Sequence, residues 1–249
     1  MVALVFIALP LIGIAWRTPW SSFVDQLSSP AARAALRLSF ATSVVSAICT
    51  IALGTPLAWV VGRHEFPGRR LLRAIITVPV VLPPVVSGVA LLAVFGRNNG
   101  IVGKLLFDTF GTQLTFSSIG VIVSQTFVAL PFFVLAAEGG LSSTDRRYEQ
   151  LAATLGASEK YVFAGVTLRL ASPALFAGLV LAWARALGEF GATITFAGNI
   201  EGRTQTLPLA VYLLLESDPS TAYALSMVMV SVAVAVLVAL RGRYLRGGR

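Results

Sequence analysis

Residues 148–158 read Tyr-Glu-Gln-Leu-Ala-Ala-Thr-Leu-Gly-Ala-Ser and lie in a polar interval, 142–172, between two long apolar runs. Apolar side chains recur there at i, i+3, i+4 and i+7, at Tyr148, Leu151, Ala152 and Leu155. This spacing predicts a short amphipathic helix that ends at Gly156. A helix of this length is marginal in water, so we expect its apolar face to pack against the rest of this chain or against a partner.

The composition around this interval is that of an integral membrane protein. Of the 249 residues, 56% are apolar and 12% are charged, against a charged fraction of about 25% in a soluble domain. Because apolar segments of about 20 residues leave only short loops, we expect residues 1–249 to form a single transmembrane domain. The net charge of +8 comes from Lys and Arg that flank the apolar runs, which favours membrane orientation over nucleic-acid binding.

The apolar runs predict an all-α, polytopic transmembrane helical bundle with about six spans. We place them at 2–16, 36–61, 74–95, 119–137, 173–196 and 222–240, with an interfacial loop at 17–33. The fifth span is expected to begin at Pro173, with Ser172 as its N-cap. The side that carries the C-terminal tail has about twice the Lys and Arg of the other side, which predicts that both termini and the interval 142–172 are cytoplasmic.

Enzymatic chemistry has little support in this sequence. No glycine-rich loop ending in Lys-Ser or Lys-Thr occurs, and no set of a nucleophile with a base can be assembled. The single cysteine, Cys49, cannot form an internal disulfide, and the single histidine, His64, lies in a basic loop. We therefore expect a chain that is not an enzyme and that has no metal or cofactor site of its own.

Prolines interrupt the third predicted span. Pro79, Pro83 and Pro84 are followed closely by Ser87, and proline inside a helix removes backbone hydrogen bonds at a cost of about 3 kcal/mol unless neighbours satisfy the freed carbonyls. The pattern predicts a bent or broken helix that lines a translocation pathway, with a simple packing kink as the alternative.

The fifth predicted span carries Arg185 and Glu189, four residues apart and therefore on one helical face. Ionisable side chains deep in a span usually mark a pathway, although a self-neutralising pair that only fixes helix packing is the alternative. Two glycines that permit close approach and two hydroxyls that could donate to an oxyanion lie beside them, Gly188, Gly191, Thr193 and Thr195.

The polar interval resembles the cytoplasmic "EAA" loop of permease subunits in ABC importers, most strongly in Leu155-Gly156-Ala157-Ser158. Gln150-Leu151-Ala152 stands at the family's Glu-Ala-Ala, Glu149 lies one residue earlier, and Arg169 replaces the usual proline. The resemblance implies that 142–172 is a coupling loop whose short helix docks in a cleft of a separate ATPase subunit. The residues it assigns to coupling are Tyr148, Glu149, Gln150, Leu151, Ala152, Leu155, Gly156 and Ala157.

A second resemblance, to permeases for molybdate and tungstate with sulfate permeases as relatives, rests on residues 184–196 and 203–206 and on the shorter motifs 66–68 and 82–86. It implies a type I ABC importer permease in the bacterial plasma membrane, acting as a homodimer by alternating access. Two cytoplasmic ATPase subunits would bind ATP and Mg, and an external binding protein would deliver the oxyanion. The pathway residues it supports are Pro83, Pro84, Ser87, Arg185, Gly188, Glu189, Gly191, Thr193 and Thr195.

Two alternatives stay open. Sulfate or thiosulfate could be the substrate of the same kind of permease. A secondary transporter or channel could instead use Arg185 and Glu189 to couple an ion to the substrate, but such a carrier has no need of an exposed cytoplasmic docking helix.

Overall fold

The computed structural model describes residues 1–244, and the side chains of residues 1–240. The helices are α1 (Val2–Arg17), α2 (Phe23–Ser28), α3 (Pro30–Arg63), α4 (Arg69–Val81), α5 (Pro84–Phe95), α6 (Ile101–Phe110), α7 (Ser118–Ser143), α8 (Arg147–Thr154), α9 (Glu159–Tyr161), α10 (Leu168–Leu187), α11 (Gly191–Phe196), α12 (Leu207–Ser217) and α13 (Pro219–Tyr244). A 3₁₀ turn covers Trp20–Ser22, and a π-helical turn, Val162–Thr167, joins α9 to α10. Residues 1–244 contain no strand, which confirms the predicted all-α class.

Four helical segments in the described part of the chain are long and apolar enough to cross a membrane: Pro30–Arg63, Ser118–Ser143, Glu159–Leu187 and Pro219–Leu240. Two bent pairs reach the same length and composition: Val2–Arg17 with Trp20–Ser28, bent by 56°, and Arg69–Val81 with Pro84–Phe95, bent by 119°. The predicted six spans are obtained when each bent pair is one span. The tail residues Arg246 and Arg249, which contribute to the predicted orientation, lie outside the described residues.

The chain forms two compact units, and α3 and α7 contribute residues to both. Unit 1 contains Met1–Val44, Pro84–Gln125 and the described residues from Leu187 onward. Its core packs the start of α3 against α12 and α13 through Ala32, Ala35, Leu207, Ala210 and Leu225. The backbone N–H of Leu207 donates to the buried Ser39 Oγ at 2.6 Å. A side chain of α3 therefore supplies the hydrogen-bond acceptor for a backbone N–H at the start of α12.

Unit 2 contains Val45–Pro83 and Thr126–Ala186. Phe133 of α7 lies at its centre, packed with Ala58 of α3 and Ala182 of α10. Gly54 and Gly178 leave the space that this ring fills, because a Cβ at either position would meet Phe133 atoms within 3.5 Å. Small residues let these helix backbones approach closely, as is usual between membrane helices.

Several predicted boundaries were wrong. The fifth span does not begin at Pro173, because helix runs from Glu159 through α10 and contains this proline; the Ser172 hydroxyl donates to the Arg169 carbonyl at 2.8 Å and caps nothing. Helix also occupies much of the predicted loop 17–33. The sequence reading missed α6 and α12, which at 10 and 11 residues are too short to show as spans.

Candidate functional site: the coupling segment and the α5–α11 contact

The predicted short helix is present as α8, Arg147–Thr154. Three of its predicted apolar-face residues are exposed: Tyr148 at 56%, Leu151 at 60% and Leu155, just beyond the helix, at 87%. Ala152 is half-buried. Residues 1–240, whose side chains the structure describes, therefore leave most of this face uncovered.

Gly156 ends α8 in the left-handed conformation, with φ of +86°. The Ala157 N–H donates to Ala152 O at 3.1 Å, and the Gly156 N–H donates to Ala153 O at 3.0 Å. These two bonds make a Schellman motif, which satisfies carbonyls that would otherwise lack partners. A Cβ at position 156 would meet nothing within 4 Å, so glycine is required by backbone conformation and not by lack of space.

Glu149 takes part in contacts within the chain. Its Oε1 accepts a hydrogen bond from Arg63 Nη2 at 2.7 Å and another from Thr167 Oγ1 at 2.7 Å. The side chains of Arg63 and Glu149 are 7% and 23% exposed, and Thr167 is buried. The carboxylate thus connects α8 with the last residue of α3 and with the turn that leads into α10.

The end of α3 also holds the segment before α8. Arg146 Nη2 donates to the Arg63 carbonyl at 2.9 Å, and the Ser142 hydroxyl donates to the Gly62 carbonyl at 3.3 Å. In the segment after α8, the Phe163 ring of the π-helical turn packs edge-on against Trp59 of α3, with ring centroids 5.4 Å apart. Both chain segments that flank α8 are therefore attached to the same end of α3.

Unit 1 brings most of the predicted pathway residues together where α11 packs along α5. A Cβ on Gly88 would lie 2.5 Å from Thr195 Cβ, and a Cβ on Gly191 would lie 2.5 Å from Pro84 Cβ. Ser87 is buried on the same face of α5. The break between α4 and α5 confirms the predicted bent or broken third span, since Leu82 adopts the extended backbone that a following proline favours.

Three of the polar side chains at this contact are buried, and Thr195 is half-buried. Glu189 is 1% exposed, and its Oε1 accepts the Ala192 N–H at 2.8 Å, which satisfies a backbone donor at the start of α11. The Thr195 hydroxyl donates to the Gly191 carbonyl at 2.8 Å. Ser87 Oγ and Thr193 Oγ1 are buried and make no hydrogen bond within the described residues, so these two hydroxyls have unused hydrogen-bonding capacity.

Arg185 and Glu189 do not share a helical face, and that prediction was wrong. Helix α10 ends at Leu187, so Glu189 lies in the turn before α11. Arg185 and Pro83 belong to unit 2, whereas Pro84, Glu189 and the glycines and threonines of the predicted pathway belong to unit 1; Gly188 is exposed.

Three residues that matter in these sites were missed as site residues. Arg63 reads in the sequence as one of several basic residues after an apolar run, and Thr167 as part of a motif. Gly88 follows Ser87 and carries no signal beyond its small size. Among residues 1–244, no group of three or more His, Cys, Asp or Glu side chains is placed to hold a metal ion.

Residues 54–246 match the family described as "Binding-protein-dependent transport system inner membrane component". The molybdenum transport system permease protein ModB of Mycobacterium tuberculosis is 46% identical over 224 residues, covering 90% of this chain and 84% of that protein. The sulfate transport system permease protein CysT of Salmonella typhimurium is 36% identical over 197 residues, covering 79% and 70%. A bacterial alginate ABC transporter, solved in complex with an alginate pentasaccharide-bound periplasmic protein, has a chain that superposes with a TM-score of 0.74 at 19% identity, covering 95% of this chain and 88% of that one.

Proposed function

Because the chain belongs to the family of inner membrane components of binding-protein-dependent transport systems, we propose that it carries molybdate, or the equally shaped tungstate, into the cell as the permease subunit of an ABC importer. The family match confirms the resemblance to binding-protein-dependent permeases, and the alginate transporter chain shares the fold. The chain is a transport subunit and not an enzyme.

The observation that supports molybdate as the substrate is the difference in sequence identity and coverage between two relatives. The molybdenum permease is 46% identical over 90% of this chain, whereas the sulfate permease is 36% identical over 79%. Both substrates are tetrahedral oxyanions, so the buried hydroxyls of Ser87 and Thr193 suit either as donors. Sulfate or thiosulfate is accordingly the second candidate.

The proposed assembly contains two copies of this permease, two cytoplasmic ATPase subunits and an external oxyanion-binding protein. The exposed residues Tyr148, Leu151 and Leu155 supply an apolar docking face for the ATPase, and that subunit binds ATP and Mg. Both chain termini are cytoplasmic in this arrangement. The whole chain acts as one permease domain, with 142–172 as its coupling loop.

Reconstitution of the permease with its ATPase and binding protein in liposomes tests the substrate. We expect molybdate and tungstate to stimulate ATP hydrolysis and uptake, and sulfate to have little effect. Stimulation by sulfate alone would replace molybdate by the second candidate. Uptake driven by an ion gradient, without ATP or the ATPase, would support a secondary transporter and refute the importer.

The docking face has its own control pair within the same assay. Leu155→Asp places a charge on the exposed apolar face, and Thr154→Asp places the same charge on its exposed polar neighbour. We expect the first variant to lose the ATPase during purification and the second to keep it. Equal retention by both variants would show that this face is not the docking surface.

A further inference from the structure

The Glu149 carboxylate joins three segments of unit 2. Arg63 is the last residue of α3, Glu149 lies in the first turn of α8, and Thr167 is the last residue of the π-helical turn before α10. Both bonds to Glu149 Oε1 are 2.7 Å long, and both donor side chains are almost completely buried. Hydrogen bonds to an ionised group are strong, and shielding from water strengthens them further.

This carboxylate does not lie on the exposed apolar face. Tyr148, Leu151 and Leu155 are exposed, whereas Glu149 follows Tyr148 by one residue and is therefore turned by about 100° around the helix axis. Its side chain is 23% exposed and is occupied by its two intramolecular donors. The group that attaches α8 to the chain and the group that meets a partner are therefore on different sides of the helix.

The two ends of the coupling segment differ in how they are held. Before α8, Arg146 donates to the Arg63 carbonyl and Arg63 Nη1 donates to the Thr144 carbonyl at 3.4 Å. After α8, a Cβ at Gly156 would meet nothing within 4 Å, and the chain is held to α3 farther along, by Phe163 against Trp59. The hydrogen bonds that join this segment to the end of α3 thus lie just before α8 and in its first turn, where Glu149 lies.

We propose that Glu149 is a positioning residue that locks α8 to the ends of α3 and α10, so that a displacement of α8 by the ATPase moves both helices. The proposal rests on the proposed docking of an ATPase on α8. It assigns docking to the apolar residues and force transmission to the carboxylate. The π-helical turn that carries Thr167 fits this role, since such turns occur frequently at functional sites.

Three variants in the reconstituted importer test the lock. Glu149→Gln removes the charge, Thr167→Val removes one donor without changing shape, and Thr167→Ser keeps that donor as a matched control. Loss of a bond to a charged group lowers the population of the attached arrangement about tenfold or more. We expect Glu149→Gln and Thr167→Val each to lower the molybdate imported per ATP about tenfold, and Thr167→Ser to leave it unchanged. All three should retain the ATPase.

A second readout needs neither ATPase nor substrate. A spin label at Thr154→Cys, in a Cys49→Ala background, reports the motion of α8 in the isolated permease. Greater label mobility in Glu149→Gln and Thr167→Val, but not in Thr167→Ser, supports the positioning role of Glu149. This result is independent of the substrate: failure of the wild-type importer to respond to any oxyanion would count against the proposed function instead.

Two results would overturn the inference. Loss of the ATPase from Glu149→Gln with unchanged label mobility would make Glu149 a docking charge. A lower yield of complex, with both the import per ATP and the label mobility unchanged, would make the contact a folding feature only.

Discussion

Gly88→Ala should distinguish the effect of close packing on the free energy of unfolding from that of helix propensity at the α5–α11 contact. The new Cβ would lie 2.5 Å from Thr195 Cβ and 3.0 Å from the Ala192 carbonyl oxygen, whereas carbon atoms in contact prefer about 3.5–4.0 Å. Overpacking of this kind costs about 1–3 kcal/mol, and the same substitution gains about 0.5–1 kcal/mol from helix propensity. We expect a net loss of about 1–2 kcal/mol.

Gly139→Ala is the matched control, because a Cβ at that exposed position in α7 meets nothing within 4 Å. It should gain the propensity term alone, so thermal unfolding in detergent should place the two variants on opposite sides of the wild type. For a chain of this size, about 1 kcal/mol corresponds to about 2–4 °C. Thr195→Gly removes the atom that is overlapped and should recover most of the loss in the double variant. Equal melting temperatures for the two alanine variants would refute the packing argument.

Two further predictions concern backbone and charge. Gly156→Ala should cost about 1 kcal/mol by forcing φ of +86° on an alanine, and should weaken ATPase binding about fivefold. Gly156→Asn should weaken ATPase binding less, because asparagine tolerates this conformation. Unchanged ATPase affinity in the alanine variant would contradict the role given to the Schellman motif. The side-chain hydroxyl and then the backbone N–H of Thr221 hold the pKa of Asp218 below its usual value of 3.8, so the stabilisation from the carboxylate is present above about pH 4 and is lost as pH falls through the lowered pKa. Asp218→Asn should therefore differ from the wild type by a constant melting offset above about pH 5 that changes only in acid; a difference between the two that is the same at every pH would contradict this assignment.

The long apolar helices and the proline break follow from the sequence because their causes are local. An apolar run of sufficient length must be helical in a membrane, since every backbone group needs a partner within the segment. Pro83 and Pro84 likewise act on their immediate neighbours, and Pro84 takes the first position of α5, where its missing N–H costs nothing.

The same local rules gave wrong results where tertiary contacts decide. Pro173 is a good first residue for a helix, but here α10 continues through it, as neighbouring membrane helices allow. The apolar run 173–196 hides the break at residues 188–190, since hydropathy does not distinguish one long helix from α10 followed by α11. Gly188 and Gly191 could have indicated this break in the sequence, but we interpreted them as residues that permit close packing.

The partners of Glu149 could not be predicted because they are distant in sequence. Arg63 is 86 residues away and Thr167 is 18 residues away, and neither interval corresponds to a helical or strand spacing. The predicted apolar positions, Tyr148, Leu151, Ala152 and Leu155, do not include Glu149. A carboxylate that is off the docking face of a helix must be either in water or paired within the chain, and only the structure distinguishes these two cases.

Both carboxylates among the predicted site residues, Glu149 and Glu189, accept hydrogen bonds within the chain. This limits the groups by which a partner can recognise α8. Glu149 accepts from Arg63 and Thr167, and Glu189 accepts the Ala192 N–H at the start of α11. The surface that α8 offers to a partner therefore has no free carboxylate from Glu149; it includes the apolar area of Tyr148, Leu151 and Leu155, with the exposed Arg147 and Gln150 beside it. Because burial of apolar area is not weakened by salt as exposed ion pairs are, we expect the part of the proposed ATPase binding that rests on these three apolar residues to survive high salt.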